Sequence, residues 1–295
     1  MTLSQSFGCR RLGSAPIVTR SSIVVAIALT MTVRIDAADA VTLHAHTLRA
    51  WQTYMAAVEA RITRELRGAG GFLVADAAPD ADLMRARLRR GERVIAKMPP
   101  PAGAPADVPN GQIAHWRGSL LVPGVTLTDL LDCLQHPPEA GPHQEDVVAL
   151  RVVTRQPDRL QLAIRMRRTK IVTVTYDTEH EITYQHHGPG RASSRSIATK
   201  IVELAAPGTP AERAKQPGED RGFLWRMQSF WRYEQVEGGV IVEVESLTLS
   251  RSVPFGLSLV MQPIVDDIAR ESIQRTLDHL RRTYGKETAR ERGGH

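Results

Sequence analysis

Cysteine is scarce in this sequence, and its scarcity limits how the chain can be stabilised. The 295 residues include only two cysteines, Cys9 and Cys133. Cys9 lies in a predicted leader, so the mature chain keeps a single thiol and cannot form an internal disulfide. Cys133 stands among leucines, a setting that favours a small buried side chain over a nucleophile. Stability must therefore come from a hydrophobic core.

Motifs that would identify a reaction are also missing. The chain has no G-x-S-x-G nucleophile elbow, no phosphate-binding glycine loop and no dinucleotide fingerprint. The histidine pairs His44/His46 and His186/His187 lack a third ligand and a supporting carboxylate, so no metal site is predicted. We expect no cofactor, and the sequence assigns no catalytic residue.

The charge balance is weakly basic. Lysine and arginine number 38 against 32 acidic residues, and 42% of the residues are hydrophobic, as in an ordinary globular protein. The arginine clusters at 85–93 and 165–168 have no aromatic residues beside them, which argues against nucleic acid and favours solvated faces. Peripheral contact with anionic lipid headgroups is the alternative.

Residues 1–40 have the pattern of a secretory signal peptide. Three arginines precede an apolar run over 23–33, and Ala38-Asp39-Ala40 supplies an A-x-A cleavage site. The run is shorter than the roughly 20 apolar residues that span a bilayer. We therefore expect a secreted or periplasmic protein. The alternative is an uncleaved segment that anchors the chain to the membrane by its N-terminus.

Residues 41–109 are predicted to form an N-terminal extension. Apolar residues at helical spacing predict an amphipathic helix over 47–66. Basic residues on both sides of Arg90-Gly91 predict a β-hairpin over 83–98. The proline-rich stretch 99–109 is typical of a loop.

The sequence from residue 110 alternates as antiparallel strands require. Thr126 is a predicted N-terminal cap for a short helix, with Asp129 three residues later. Period-2 patterns predict the strands that precede and follow this helix. The predicted elements are strand 112–122, helix 127–135 and strands 147–155, 159–168, 170–185 and 191–204.

A long hairpin is predicted over 224–251, with its turn at Gly238-Gly239. The register that follows sets Tyr233 opposite Val244. Alternation places Arg232, Glu243 and Glu245 on one face, which is predicted to be the wetter side. The opposite face collects aromatic and hydroxyl side chains: Trp225, Met227, Ser229, Trp231, Tyr233, Ser246 and Thr248.

The C-terminal segment is predicted to be helical. Pro263 favours a short helix or turn over 256–262 and a long helix over 263–283. One stripe of the long helix should face the sheet, and it includes Ser272 and Thr276. These small residues either allow close packing or line a cavity. Residues 285–295 are predicted to be a disordered tail.

Three stretches stand out in this order of elements: HWRGSLLVPG at 115–124, LWRMQSFWRYEQVEGGVIVEVESLTLSR at 224–251, and SVPFGLS with PIVDDIARESIQRTL ending at Leu277. In these stretches and in the order of its elements the chain resembles the START and polyketide-cyclase-like superfamily, and within it exported bacterial proteins. It covers about 110–284. It implies an α+β helix-grip fold, in which a curved antiparallel β-sheet wraps around a long C-terminal α-helix.

The resemblance also implies a hydrophobic or amphipathic, lipid-like small molecule held between the sheet and the helix. Taken singly, each aromatic side chain is better explained by packing, and His180 is better explained as a neutral core residue. Arg195 would bind a carboxylate or headgroup if its strand face is concave. The candidate ligand-binding residues are Tyr176, His180, Arg195, Trp225, Ser229, Trp231, Tyr233, Thr248, Ser272 and Thr276.

Two other functions stay open at this point. One is a cyclase-like or aromatase-like enzyme, in which His180 and a tyrosine would act as acid and base. The other is a protein-interaction module with a closed cavity, which would use the helix at 47–66 and the basic hairpin as its surface.

Overall fold

A computed structural model of the protein describes residues 43–68, 71–77, 79–141, 143–169, 172–252 and 258–285, with side chains from residue 266 onward in the last range. The described residues belong to one compact unit. The predicted leader and the residues from 286 onward in the predicted tail lie outside them. Among the described helices, none is both long and apolar enough to cross a bilayer.

Nine strands in the described ranges form an antiparallel sheet. Its order is β1-β2-β9-β8-β6-β5-β4-β3, and the short β7 pairs with β6 off this path. The strands are Val94–Lys97 (β1), Gly111–Pro123 (β2), Val147–Gln156 (β3), Arg159–Thr169 (β4), Thr173–His186 (β5), Arg191–Ala205 (β6), Arg213–Ala214 (β7), Arg226–Val236 (β8) and Gly239–Arg251 (β9).

Four α-helices accompany this sheet in the part of the chain that is described. The helix predicted at 127–135 is confirmed, and its cap is as expected, because Thr126 Oγ1 accepts a hydrogen bond of 3.1 Å from the Asp129 backbone N–H. The helices are Ala45–Arg67 (α1), Ala81–Arg89 (α2), Leu127–Gln135 (α3) and Ser258–Tyr284 (α4).

The sheet carries a different helix on each face. On what we call the α4 face, Ile273, Leu277 and Leu280 of α4 pack with Val242 and other alternate residues of the central strands. On the α1 face, a separate cluster joins α1 to β8 and β9. It contains Trp51, Tyr54, Met55, Val58, Ile62, Phe230, Leu247 and Leu249. Strand alternation thus supplies both clusters from the same strands. The architecture is the predicted α+β helix-grip fold.

At Gly118, two side chains of α4 lie directly against β2. A Cβ atom at this position would overlap Ile273 Cγ2 and lie 2.9 Å from Leu277 Cδ1. Glycine is therefore needed in β2 because the two apolar side chains of α4 occupy the space that any larger residue would use.

The predicted hairpin at 83–98 is wrong. The structure has helix α2 over Ala81–Arg89, followed by a turn and the short strand β1. The arginines at every second position have the period of a strand, which led to the wrong prediction. In the structure α2 buries Leu88, and the partly buried Met84 lies four residues before it. That i, i+4 spacing is the helical period.

The predicted register of the β8 and β9 hairpin is also wrong, by two residues. Val236 pairs with Gly239 and Tyr233 with Val242, so the loop consists of Glu237 and Gly238. Gly238 has φ +86° and supplies the turn conformation. Gly239 is required for another reason: its Cβ would overlap the carbonyl oxygen of Val122 in β2. A shift of two residues leaves every side chain on its predicted face.

The C-terminal helix is continuous where two segments were predicted. α4 begins at Ser258, so Pro263 lies within its first two turns. A proline there removes one intrahelical hydrogen bond, which the remaining length of the helix tolerates. Residues 253–257, which include the start of the predicted short segment, lie outside the described residues.

Candidate functional site

The α4 face of the sheet brings together most of the predicted binding residues. Ser229, Trp231 and Tyr233 alternate along β8, and Met227 pairs with Thr248 on the same face. In β5, Tyr176 and His180 share a face with Tyr184, which packs against the α4 cluster. Ser272 and Thr276 belong to α4 itself. Eight of the ten predicted residues therefore belong to the α4 face of the sheet or to the helix that covers it.

Exposure along β9 shows where this face is open. Val240 and Val242 have no exposed surface, because α4 covers them. Farther along β9, Ser246 and Thr248 are partly exposed, although Leu247 on the α1 face is 0% exposed. Leu247 is thus fully covered on the α1 side, whereas Ser246 and Thr248 keep some exposed surface on the α4 side. We call the part of the α4 face around Ser246 and Thr248 the α4 groove.

Two aromatic residues line the boundary between the packed core and the α4 groove. The rings of Trp231 and Tyr233 stack with their centroids 6.4 Å apart. Trp231 Nε1 donates to Ser229 Oγ at 3.0 Å, and the Tyr233 hydroxyl is 3.0 Å from Ser194 Oγ. Tyr233 is buried, and its burial raises the pKa of the phenol. Tyr233 is therefore a core residue, whereas Trp231 is partly exposed beside the groove.

His180 and Tyr176 are both buried, but only one of them is hydrogen-bonded. His180 Nε2 lies 3.0 Å from Thr178 Oγ1, and burial lowers the pKa of the imidazole to about 4. The imidazole is therefore neutral at pH 7. The Tyr176 hydroxyl is buried with no hydrogen-bond partner. Burial, and after it the nearby Glu203, raise the pKa of Tyr176, so the phenol stays protonated.

The hydroxyls of α4 are partly used inside the helix. Thr276 Oγ1 donates to the carbonyl oxygen of Ser272 at 2.9 Å. Both residues are half-buried and flank Ile273, which packs on the sheet. The small side chains at these positions accompany the close approach of α4 to β2.

Arg195 does not reach the α4 groove, contrary to its predicted place on a concave face. It pairs with Phe230 across β6 and β8, and its guanidinium carbon lies 5.8 Å from the centre of the Phe230 ring. Its Nη2 forms an ion pair with Glu59 of α1. Phe230 belongs to the α1 cluster, so Arg195 lies on the α1 face.

Trp225 is also on the wrong side for the predicted role. It belongs to the α1 cluster with Trp51, and its Nε1 donates to Asp220 Oδ1 at 3.1 Å. Strand β8 begins at Arg226, so the period-2 alternation does not extend back to Trp225.

The charged residues of the α1 face were predicted to lie on the wetter side of the sheet. This prediction is wrong, because these residues are buried. Glu245 accepts from His115 Nε2 at 2.7 Å, and His115 Nδ1 is 2.9 Å from the Tyr54 hydroxyl. Burial raises the pKa of Glu245, but His115, Arg61 and Arg232 outweigh this effect, and the pKa is lowered. This chain of polar groups holds α1 on the sheet and has no opening to a substrate, because Tyr54, His115 and Glu245 are all buried.

Glu243 is the second buried acid of this face. Its carboxylate accepts from the backbone N–H of Val74 at 2.7 Å and from Ser119 Oγ at 3.1 Å. Burial raises its pKa. The sequence feature that indicated burial of this face was the pair of leucines at 247 and 249. Their apolar side chains share the face with Glu243 and have to be covered by another segment. The segment that supplies the cover here is the turn around Val74, which follows α1.

Two hollows among the described residues lie away from Ser246 and Thr248. One, of about 230 Å³, lies beside α1 and includes Arg195, Phe230 and Thr63. The other, of about 340 Å³, lies on the polar outer side of α4 near Glu145 and Arg275. Within the described ranges, no group of three His, Cys, Asp or Glu side chains is placed to hold a metal ion.

Comparison with known proteins gives similarities at the level of fold. Neither a protein-family model nor a curated protein sequence matches the chain. A fragment of the STAR-related lipid transfer protein from Xanthomonas axonopodis is 17% identical, covering 64% of this chain and 97% of that chain, with a TM-score of 0.41. Human StAR-related lipid transfer protein 5 is 15% identical, covering 81% and 97%, with a TM-score of 0.42. The aromatase/cyclase di-domain protein StfQ of the steffimycin biosynthetic pathway is 15% identical, covering 62% and 53%, with a TM-score of 0.33.

At these identities and TM-scores the matches identify no ligand. The antiparallel sheet, its strand order and the helix that closes one face are observed directly. The chain therefore has a helix-grip fold.

Proposed function

We propose that the protein binds a hydrophobic or amphipathic small molecule in the α4 groove. The observation that carries the proposal is the alternating exposure of β9, where Ser246 and Thr248 are accessible and Leu247 is not. Trp231 and Met227 add apolar surface beside these hydroxyls. A largely apolar hollow with a few polar groups is the usual composition of a site for small lipid-like ligands.

Occupancy can be tested directly. Native mass spectrometry of gently purified protein should show a lipid-sized adduct that organic solvent removes. A lipid with bromine atoms on its acyl chain should quench tryptophan fluorescence, because Trp116 and Trp231 pack on the α4 side. Protein that is always free of adduct and is not quenched would contradict the proposal.

A filling variant locates the ligand. Thr248→Phe adds a ring to the α4 groove, and we expect at least about a ten-fold loss of lipid affinity, equivalent to about 1.4 kcal/mol. An open groove accepts the ring with little change in the thermal midpoint, whereas a packed core would lose about 1–3 kcal/mol. Thr199→Leu, at an exposed position of β6, is the matched control and should bind normally.

We also propose that the protein acts outside the cytoplasm, after removal of residues 1–40. The support is the arginine, apolar and A-x-A pattern of the leader. N-terminal sequencing of protein recovered from a periplasmic extract should begin at Val41. An intact N-terminus in the membrane fraction would instead favour the anchored form.

A further inference from the structure

The hollow beside α1 is a candidate site that the proposed function does not use. It has a volume of about 230 Å³ and lies between α1 and strands β5, β6 and β8. Arg195 and Phe230, which line it, belong to the α1 face of the sheet, whereas the α4 groove belongs to the other face. Pockets for drug-sized ligands ordinarily measure about 300–1,000 Å³, so this hollow fits a compact molecule.

One cation and one anion of this hollow are within reach of a ligand. Arg195 Nη2 forms an ion pair with Glu59 Oε1, and the two side chains are 41% and 37% exposed. Gln228 Nε2 also donates to Glu59 Oε1 at 3.1 Å, which holds the carboxylate in place. Among the described residues, Arg195 Nη1 and Glu59 Oε2 have no hydrogen-bond partner. Each member of the pair therefore keeps one atom for a ligand.

The remaining charges around the hollow are already balanced. Arg232 is the third charged residue that lines it, and its Nη2 is bonded to Glu65. Glu65 also accepts from Arg61 Nη1 at 2.8 Å, and Arg61 Nη2 forms an ion pair with Glu245. Burial, and after it Arg232, lower the pKa of the nearby His187, so this imidazole is neutral at pH 7. The charges open to a ligand are thus one positive and one negative.

Apolar side chains adjoin this pair of charges. Ile62 and Leu66 of α1 and Phe230 of β8 line the same hollow, and Ile62 and Phe230 are buried. The guanidinium carbon of Arg195 lies 5.8 Å from the centre of the Phe230 ring, so charge and apolar surface are next to each other. A matching ligand carries opposite charges at one end and an apolar group at the other.

We propose that the hollow beside α1 binds a free α-amino acid with an apolar side chain. Its carboxylate accepts a hydrogen bond from Arg195 Nη1, and its ammonium group donates to Glu59 Oε2. Its side chain contacts Ile62, Leu66 and Phe230. A ligand with a single charge would bring a like charge to one member of the pair, whereas a zwitterion offers each member an opposite charge. The site is separate from the α4 groove and does not depend on the proposed function.

Three probes with the same branched apolar group test the ligand class. They are L-leucine, isocaproate, which lacks the ammonium group, and isoamylamine, which lacks the carboxylate. Each is titrated into the isotopically labelled protein, and the backbone amide signals of Thr183, Ser193 and Arg195 are followed by NMR. We expect a dissociation constant on the order of 1 mM for leucine, because exposed ion pairs contribute little. Each analogue should bind at least about ten-fold more weakly.

Every other outcome of this titration overturns the proposal. Isocaproate that binds as tightly as leucine would make the hollow an anion site. Isoamylamine that binds as tightly would make it a cation site. Leucine that moves no amide signal at concentrations far above the expected dissociation constant would leave the hollow to water. None of these results bears on lipid binding in the α4 groove.

Variants of the ion pair assign the two contacts. Glu59→Gln should weaken leucine binding about ten-fold and leave leucine and isocaproate equal in affinity, because the partner of the ammonium group is gone. Arg195→Met should likewise make leucine and isoamylamine equal. Lys200→Met is the matched control, because Lys200 and Glu179 form an ion pair that is 57% and 51% exposed and lies outside the hollow. Thr248→Phe in the α4 groove should also leave leucine affinity unchanged. If Glu59→Gln still prefers leucine to isocaproate about ten-fold, the proposal is refuted.

Discussion

Replacing Gly118 with alanine tests how α4 is held on the sheet. The added Cβ would overlap Ile273 Cγ2 and lie 2.9 Å from Leu277 Cδ1. Since carbon atoms in contact are ordinarily about 3.5–4.0 Å apart, α4 has to move outward by on the order of 1 Å. Such overpacking costs about 1–3 kcal/mol, whereas alanine in place of glycine in a strand recovers about 0.5–1 kcal/mol of chain entropy. We expect a net loss of about 1 kcal/mol in the free energy of unfolding.

Urea unfolding followed by circular dichroism should show this loss as a lower midpoint with an unchanged slope. Ile273→Ala alone should cost about 2–5 kcal/mol, because it leaves a cavity. In its background Gly118→Ala should cost little, because the overlapping methyl group is gone, so the two changes should be coupled by about 1 kcal/mol. Leu280→Ala is the control, and its effect should add to that of Gly118→Ala. If Gly118→Ala and Ile273→Ala add within about 0.5 kcal/mol, the contact between α4 and β2 is not as described.

Three further predictions concern charged and titratable groups. The pKa of His180 is lowered to about 4, so between pH 6.5 and 4 the unfolded chain binds more protons than the folded chain. The free energy of unfolding should therefore fall by up to about 3 kcal/mol as the pH is lowered through that window. His180→Gln should remove this pH dependence in urea unfolding. Because the pKa of Glu245 is lowered, its contribution to the free energy of unfolding is complete above about pH 4.5 and is lost as the pH falls through the folded-state pKa. Glu245→Gln should cost about 3–5 kcal/mol at pH 7 and should weaken the loss of stability in acid. If the loss of stability in acid is unchanged, the ion pairs described are contradicted. Arg195→Met should leave lipid affinity unchanged and alter the free energy of unfolding by less than about 1 kcal/mol, since Arg195 and Glu59 are 41% and 37% exposed; a large loss of lipid affinity would return Arg195 to the binding site.

Elements with a complete local signal were predictable. α3 has a cap residue, an acidic residue three positions later and a proline stop, and both of its predicted bounds are confirmed. The strands β2 to β6 and the β8 and β9 hairpin follow from period-2 alternation, with bounds within a few residues. α2 was missed because its arginines repeat at every second position, a pattern that only the burial of Leu88 distinguishes from a strand.

The candidate site was predictable where it depends on alternation within a strand. Ser229, Trp231 and Tyr233 share a face because they alternate along one strand, and an error of two residues in the register leaves Thr248 of β9 on that same face. The predicted role of Arg195 depended on its strand face being concave, and nothing in the sequence around it says which helix covers that face. Trp225 was placed on the wrong face because alternation was extended past the end of β8.

Local sequence determined which residues form strands and which side chains share a face, because the two-residue period is a property of the extended backbone alone. Only the tertiary structure decided which face each helix covers. α1 and the segment after it bury Glu243 and Glu245, although their charge indicated a solvated surface. α4 is held close at Gly118 and leaves Ser246 and Thr248 accessible. Burial depends on contacts between residues far apart in the chain, and no local pattern encodes those distances.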